Sequence, residues 1–251
     1  MNVIDTHCHL DDHRFNDDFD DVIKRAGSTG VDRFIVPSVC EHGWQKLLQM
    51  AENNPSIYPA FGMHPWFCDR HTPAGLKQLS SYLDRAVAVG ECGLDFGQGR
   101  APEDEQLKWF RPQLELAEER GLPVVLHVYR SLDKLLHELR SFPTIKGVLH
   151  SFSGSQQQAE QCMAQGFYLG IGGAITRQQA TKLRSVVMQM PLEYLLLETD
   201  APDQPGVNHR GQRNEPAFLI EIANEIATMR GLEVAELVAA CNDNARELFS
   251  I

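Results

Sequence analysis

Residues 123–128 read Pro123-Val124-Val125-Leu126-His127-Val128. Neighbouring side chains of an extended strand point to opposite faces, so successive apolar residues put hydrophobic surface on both. A strand buried on both faces fits a parallel sheet covered by helices. Just before it, 103–120 carries Leu107, Phe110, Leu114 and Ala117 at helical spacing and stops at Gly121, with Pro123 just beyond. That stretch predicts a helix feeding the strand.

The same unit recurs in both directions. Apolar segments at 3–7, 33–39, 57–63, 86–91, 123–128, 147–151, 167–172 and 194–199 alternate with longer amphipathic stretches. Ser155 can cap a helix over 156–165 that stops at Gly166. Asn214 can cap another, with Pro216 in its first turn, running to Arg230 and closed by Gly231. A last helix covers 234–249. Eight strands alternating with helices predict an α/β protein, a (β/α)8 TIM barrel with an additional C-terminal helix. A doubly wound open sheet competes. The barrel is preferred because eight units fill residues 1–251 as a single domain, with no composition break and one long loop near 201–213.

The composition is that of a globular protein, 43% hydrophobic and 23% charged over 251 residues. Lys and Arg number 23 against 34 Asp and Glu, a net charge of −11. That argues against coating nucleic acid with a broad basic face, though not against gripping a few nucleotides at a metal site. The cysteines, at 8, 40, 68, 92, 162 and 241, form no Cys-x-x-Cys pair. The first residues show no signal peptide, and no apolar run approaches the ~20 residues of a membrane span. The expectation is a soluble, cytoplasmic protein without a membrane partner, monomeric by default.

The predicted strands end at His9, Pro37, His64, Glu91, His127, His150, Gly173 and Asp200. In a barrel these ends converge on one face, where active sites sit. His7 and His9 are two apart, so both point the same way. Histidine and carboxylate together suit Zn²⁺, Mn²⁺ or a similar divalent ion. Any one of these histidines alone would read as structural, and Asp200 alone as a helix cap. Taken together, His7, His9, Glu91, His127, His150 and Asp200 exceed what one ion takes, and two ions sharing a bridging carboxylate would use all six.

Five motifs fall in order: Asp5-Thr6-His7-Cys8-His9-Leu10, Gly62-Met63-His64-Pro65, Gly90-Glu91-Cys92-Gly93-Leu94-Asp95, His150-Ser151-Phe152-Ser153-Gly154 and Glu198-Thr199-Asp200-Ala201-Pro202. With Asn214-Glu215-Pro216 and the terminal Asn244-Ala245-Arg246-Glu247-Leu248-Phe249, they resemble the successive signatures of the TatD family, metal-dependent deoxyribonucleases of the amidohydrolase-type barrel superfamily. The resemblance runs end to end. It implies that His7, His9 and Asp200 hold one metal, His127 and His150 the other, and Glu91 bridges. Many superfamily relatives bridge with a carbamylated lysine, but no Lys occurs between Lys77 and Lys108. Two departures stand out. His127-Val128-Tyr129-Arg130 puts Tyr129 where the family usually has arginine, with Arg130 one step on, and Ser151 replaces the usual Cys.

The implied reaction is metal-dependent hydrolysis of DNA phosphodiesters, at short single strands or 3′ ends, by a water activated between two divalent ions (Zn, Mn, Mg, Co or Ni). Asp200 would take the proton. The alternatives are a metal-dependent ester or amide hydrolase, such as an aminoacyl-tRNA deacylase-like enzyme, and a non-catalytic barrel that binds partners. Candidate substrate contacts are His64, Asp95, Arg130 and Arg213, with His209 and Arg210 on the same basic rim. Each has a simpler reading: a structural His beside Pro65, support of a ligand histidine by Asp95, a solvated loop for the basic residues. Trp66 and Phe67 read first as packing for their loop and second as a surface for a base.

Overall fold

The computed structural model describes residues 2–251. Eight parallel strands follow the order of the chain: β1 (Val3–Asp5), β2 (Val31–Pro37), β3 (Ile57–Phe61), β4 (Ala88–Asp95), β5 (Val124–Tyr129), β6 (Gly147–Leu149), β7 (Phe167–Ile171) and β8 (Leu195–Leu197). Between them run α1 (Phe19–Thr29), α2 (Glu41–Asn53), α3 (Pro73–Tyr82), α4 (Glu103–Arg120), α5 (Leu132–Leu139), α6 (Gln156–Ala164) and α7 (Thr181–Gln189), with α8 (Leu219–Arg230) and α9 (Val234–Phe249) after β8. The ring is drawn shut between β8 and β1. Leu197 O accepts from Thr6 N and Thr6 Oγ1 at 3.0 and 2.9 Å, and His7 O accepts from Asp200 N at 2.8 Å. This is the (β/α)8 barrel. Among the described residues no helix is long and apolar enough to cross a membrane.

The helix punctuation explains the outer layer. Gly30, Gly121 and Gly231 end α1, α4 and α8 in left-handed conformations that other residues adopt only with strain. Ser155 and Gln158 form a reciprocal capping box on α6. Asn214 differs from expectation. A short 3₁₀ turn, Pro216–Phe218, precedes α8, and the Asn214 amide donates to Thr199 O and Asp203 O, both at 2.8 Å. It ties the long loop to the end of β8 and caps no helix.

Two layers of core result. The larger lies between sheet and helices. The smaller fills the barrel with one residue from each strand: Ile4, Ile35, Ala60, Ala88, Val125, Val148, Tyr168 and Leu196. Ala245, Leu248 and Phe249 of α9 pack against that layer. Asn242, also on α9, accepts from Ile4 N at 3.1 Å and donates to Asn2 O at 2.6 Å. The additional helix is therefore the stopper of the barrel.

Candidate metal centre

The filled layer dictates what lies above it. Side chains alternate along a strand, so two residues past Val125 and Val148 the inward positions are His127 and His150. Two and four residues past Leu196 they are Glu198 and Asp200, and four past Ala60 is His64. Glu91 arrives by a different route. The β4–β5 register shifts between Val89 and Cys92, and Glu91 N donates to Ser38 O at 2.9 Å. Gly62 permits this, because a Cβ there would lie 2.6 Å from the backbone of Gly90.

The buried Glu91 carboxylate is the hub. Its Oε2 faces His7 Nε2 at 3.3 Å and His9 Nε2 at 3.5 Å. Its Oε1 faces His150 Nε2 at 2.9 Å, His127 Nδ1 at 3.1 Å and His64 Nε2 at 3.1 Å. Asp200 Oδ1 lies 3.5 Å from both His7 Nε2 and His9 Nε2. Donor atoms of His7, His9 and Glu91, of His7, His150 and Asp200, and of His64, Glu91 and His127 cluster closely enough to share an ion.

Hydrogen bonds on the far side of each ring show what the inner atoms want. His9 Nδ1 lies 3.0 Å from Pro37 O, which can only accept, so Nδ1 keeps its proton and Nε2 is the nitrogen that can offer a lone pair to a cation. His127 Nε2 donates to Asp95 Oδ2 at 2.8 Å, leaving the Nδ1 lone pair towards Glu91. Lone pairs facing carboxylates are repulsive unless a proton or a cation lies between them. This donor set therefore fits divalent metal ions. His64 is wired the other way. Its Nδ1 accepts from Trp66 N at 3.1 Å, so Nε2 carries the proton and donates to Glu91. Sequence reading puts His64 at the mouth as a possible phosphate contact; it lines the metal cleft, largely buried, with Nε2 turned to Glu91. Ring wiring of this kind has no sequence signal.

The electrostatics follow from burial and from this crowding. Burial opposes charge on His9, but its bond to Asp200 and the field of Glu91 outweigh that and raise it to about 10. The same contest, with Glu91 as the main counter-charge, raises His150 to about 9. Burial keeps His7 and His64 neutral, lowering both to about 4. Burial works against ionised Asp200, yet its bond to His9 and the neighbouring histidines hold it at about 2.

The remaining candidates divide. Asp95 supports His127 and also accepts from Trp66 Nε1 and Gly97 N. Arg130 is exposed and lines a neighbouring cleft of about 550 Å³ with Tyr129, Lys134 and Lys182. Arg213 is drawn elsewhere. Its guanidinium pairs with Asp18 and Glu215 at 2.7 and 2.8 Å and donates to Arg14 O at 2.6 Å. His209 is held by Glu221 at 2.8 Å and stacked on Phe218, while Arg210 is exposed. Two buried carboxyls beside this centre are given no role by the sequence. Asp5 accepts from Thr199 N and Oγ1 and joins β1 to the end of β8, and Glu198 accepts from Ser151 N beside His150. Each heads one of the family motifs, but its partners are not visible in the sequence.

A sequence model described as TatD related DNase matches residues 4–250. The chain belongs to this TatD family. An uncharacterized metal-dependent hydrolase of Escherichia coli, YjjV, is 39% identical over 99% of this chain and 98% of its own length. The crystal structure of YjjV, a TatD homologue, superposes with a TM-score of 0.93 at 37% identity, covering 99% and 98% of the two chains. A protein of Salmonella typhimurium named 3'-5' ssDNA/RNA exonuclease TatD is 33% identical over 99% of both chains. As a TatD-family protein this chain is a metal-dependent hydrolase acting on ester bonds.

Proposed function

We propose that the chain hydrolyses phosphodiester bonds of DNA, removing nucleotides from the 3′ end of short single strands with two divalent cations in the barrel mouth. The observation that carries this reading is the division of the Glu91 carboxylate, with Oε2 turned to His7 and His9 and Oε1 to His127 and His150. One bridging carboxylate serving two nitrogen sets is what a two-cation clamp on a phosphate needs. The name of the Salmonella relative supports the substrate class and the direction.

His7, His9 and Asp200 would hold one cation, His127 and His150 the other, and Glu91 both. When bound, the cations would supply Lewis acidity, polarising a phosphoryl oxygen and acidifying a water. The chain does the rest. His64 fixes the rotamer of Glu91 through its Nε2 proton, and Asp95 fixes His127. Asp200 is ionised, with Oδ2 held by the Gln204 amide and Oδ1 among the histidines, placed to take the proton of the attacking water and pass it to the leaving oxygen.

The test strips metal with a chelator, restores Zn²⁺, Mn²⁺, Mg²⁺, Co²⁺ or Ni²⁺ singly, and follows end-labelled single- and double-stranded DNA, RNA and a carboxylic ester. Stepwise shortening from the 3′ end is expected. The rate should depend shallowly on salt, with a log–log slope of about −1 to −2 for one or two phosphate contacts. Hydrolysis of the ester with no cleavage of any phosphodiester would overturn the reading in favour of an ester hydrolase.

A further inference from the structure

The chain has three tryptophans, and only one is outside the core. Trp44 is fully buried and Trp109 is 5% exposed, whereas Trp66 is 47% exposed. A large aromatic left half in water usually drifts among rotamers, but Trp66 is fixed at several points. Its Nε1 proton goes to Asp95 Oδ2 and its backbone N–H goes to His64 Nδ1 at 3.1 Å. The Arg100 guanidinium lies over the ring, 3.8 Å from its centroid. One edge of Trp66 packs against His64 of its own loop, and the other half of the ring stays in water.

The ring forms part of the wall of the metal cleft, a space of about 500 Å³ that also contains His9, His127 and Asp200. Its centroid is 5.9 Å from that of His127. The wall carries Asp11, Asp12 and Asp203, and its one arginine, Arg14, is already matched by Asp12 at 2.9 Å and Asp203 at 2.7 Å. Away from the metal-facing residues, this stretch of wall offers a phosphate no unpaired arginine or lysine. A flat, neutral, polarisable group needs none, since stacking on an aromatic face requires no counter-charge.

We propose that the Trp66 indole, backed by Arg100, is the platform on which the base next to the scissile phosphate stacks. This rests on the nucleic-acid reading above and adds that the enzyme grips a nucleobase as well as a phosphate. Every base has a π-face, so the platform serves all four, with purines favoured by area.

Two measurements test it. In the metal-loaded protein, excitation at the red edge of tryptophan absorption reports Trp66 as the one solvent-facing indole. Deoxynucleoside 5′-monophosphates should quench the emission saturably, deoxyribose 5-phosphate should not, and Trp66→Phe should lose the response. In hydrolysis, Trp66→Ala should raise KM for a single-stranded oligonucleotide about tenfold, within the range for one stacked base, and Trp66→Phe should restore most of that loss. On an oligonucleotide abasic at its terminal position, wild type and Trp66→Ala should agree within twofold. Equal quenching by the sugar phosphate, or the same KM penalty on the abasic strand, would overturn the platform. Failure of wild type to cleave any oligonucleotide would instead overturn the function on which it rests.

Discussion

Asp95 Oδ2 accepts the His127 Nε2 proton at 2.8 Å, and the same oxygen accepts the indole proton of Trp66. One carboxylate thus fixes both a metal-facing ring and an aromatic wall. Its charge is sustained against burial by those bonds, which hold Asp95 at about 2.

Replacing that charge should weaken the metal centre without removing a ligand. Asp95→Asn should lower metal affinity about 10- to 100-fold, the usual effect of losing such a partner. Competition with a chromophoric chelator measures this directly. Affinity equal to wild type would show that His127 is oriented by packing alone.

Asp200→Asn keeps the shape of the site and removes its proton acceptor. Under saturating metal, turnover should fall by about 10²–10⁴-fold, the range for general-base catalysis. A rate within threefold of wild type would exclude the base role.

Metal loading should release protons. In the metal-free protein His9, raised to about 10, and His150, raised to about 9, hold protons at neutral pH because Asp200 and Glu91 outweigh their burial. A divalent ion displaces those protons, so affinity should climb as pH rises from 6 to 8 and level off as pH passes about 9 to 10. Proton release in weak buffer counts them. Because the ions bind only the folded site, metal at 100 times its Kd should stabilise the protein by about 2.7 kcal/mol. Glu91→Gln should abolish most of that thermal shift.

Asn242→Ala leaves Ile4 N–H and Asn2 O without their side-chain partners at the base of the barrel. A buried donor left unpaired costs about 1–3 kcal/mol, so Tm should drop by roughly 2–12 °C for a chain of this size. Thermal denaturation of the metal-free protein checks it. An unchanged Tm would mean that α9 is held by its apolar face alone.

Much of this is legible in the sequence. The bounds of α4 and α9 match the sequence reading because periodic apolar residues run up to a sharp stop at one end or both. The strands were read too long at β1, β6 and β8, since Thr6, His7, His150 and Thr199 are buried in the mouth without belonging to the ladder. They were read too short at β4, where Cys92 to Asp95 continue pairing with β5 past the register shift. Six histidines and carboxylates came into view from their rhythm along the chain. The hydrogen-bond partners of His64, Trp66 and Arg213 did not. Those lie on other elements: Asp95 is 29 residues from Trp66, and Asp18 is 195 from Arg213.

The stopper at the base of the barrel bears on how the protein is made. Ile4 N and the side chain that satisfies it, on Asn242, are 238 residues apart, with Ile4 made first. Until α9 emerges, the inner layer from all eight strands faces water at one end. Between the emergence of β8 and that of α9 the nascent chain therefore carries an open hydrophobic well, the kind of surface that draws aggregation and chaperones. A premature stop between Asp200 and α9 would release a chain that keeps every metal-facing side chain and still lacks the means to hold them together.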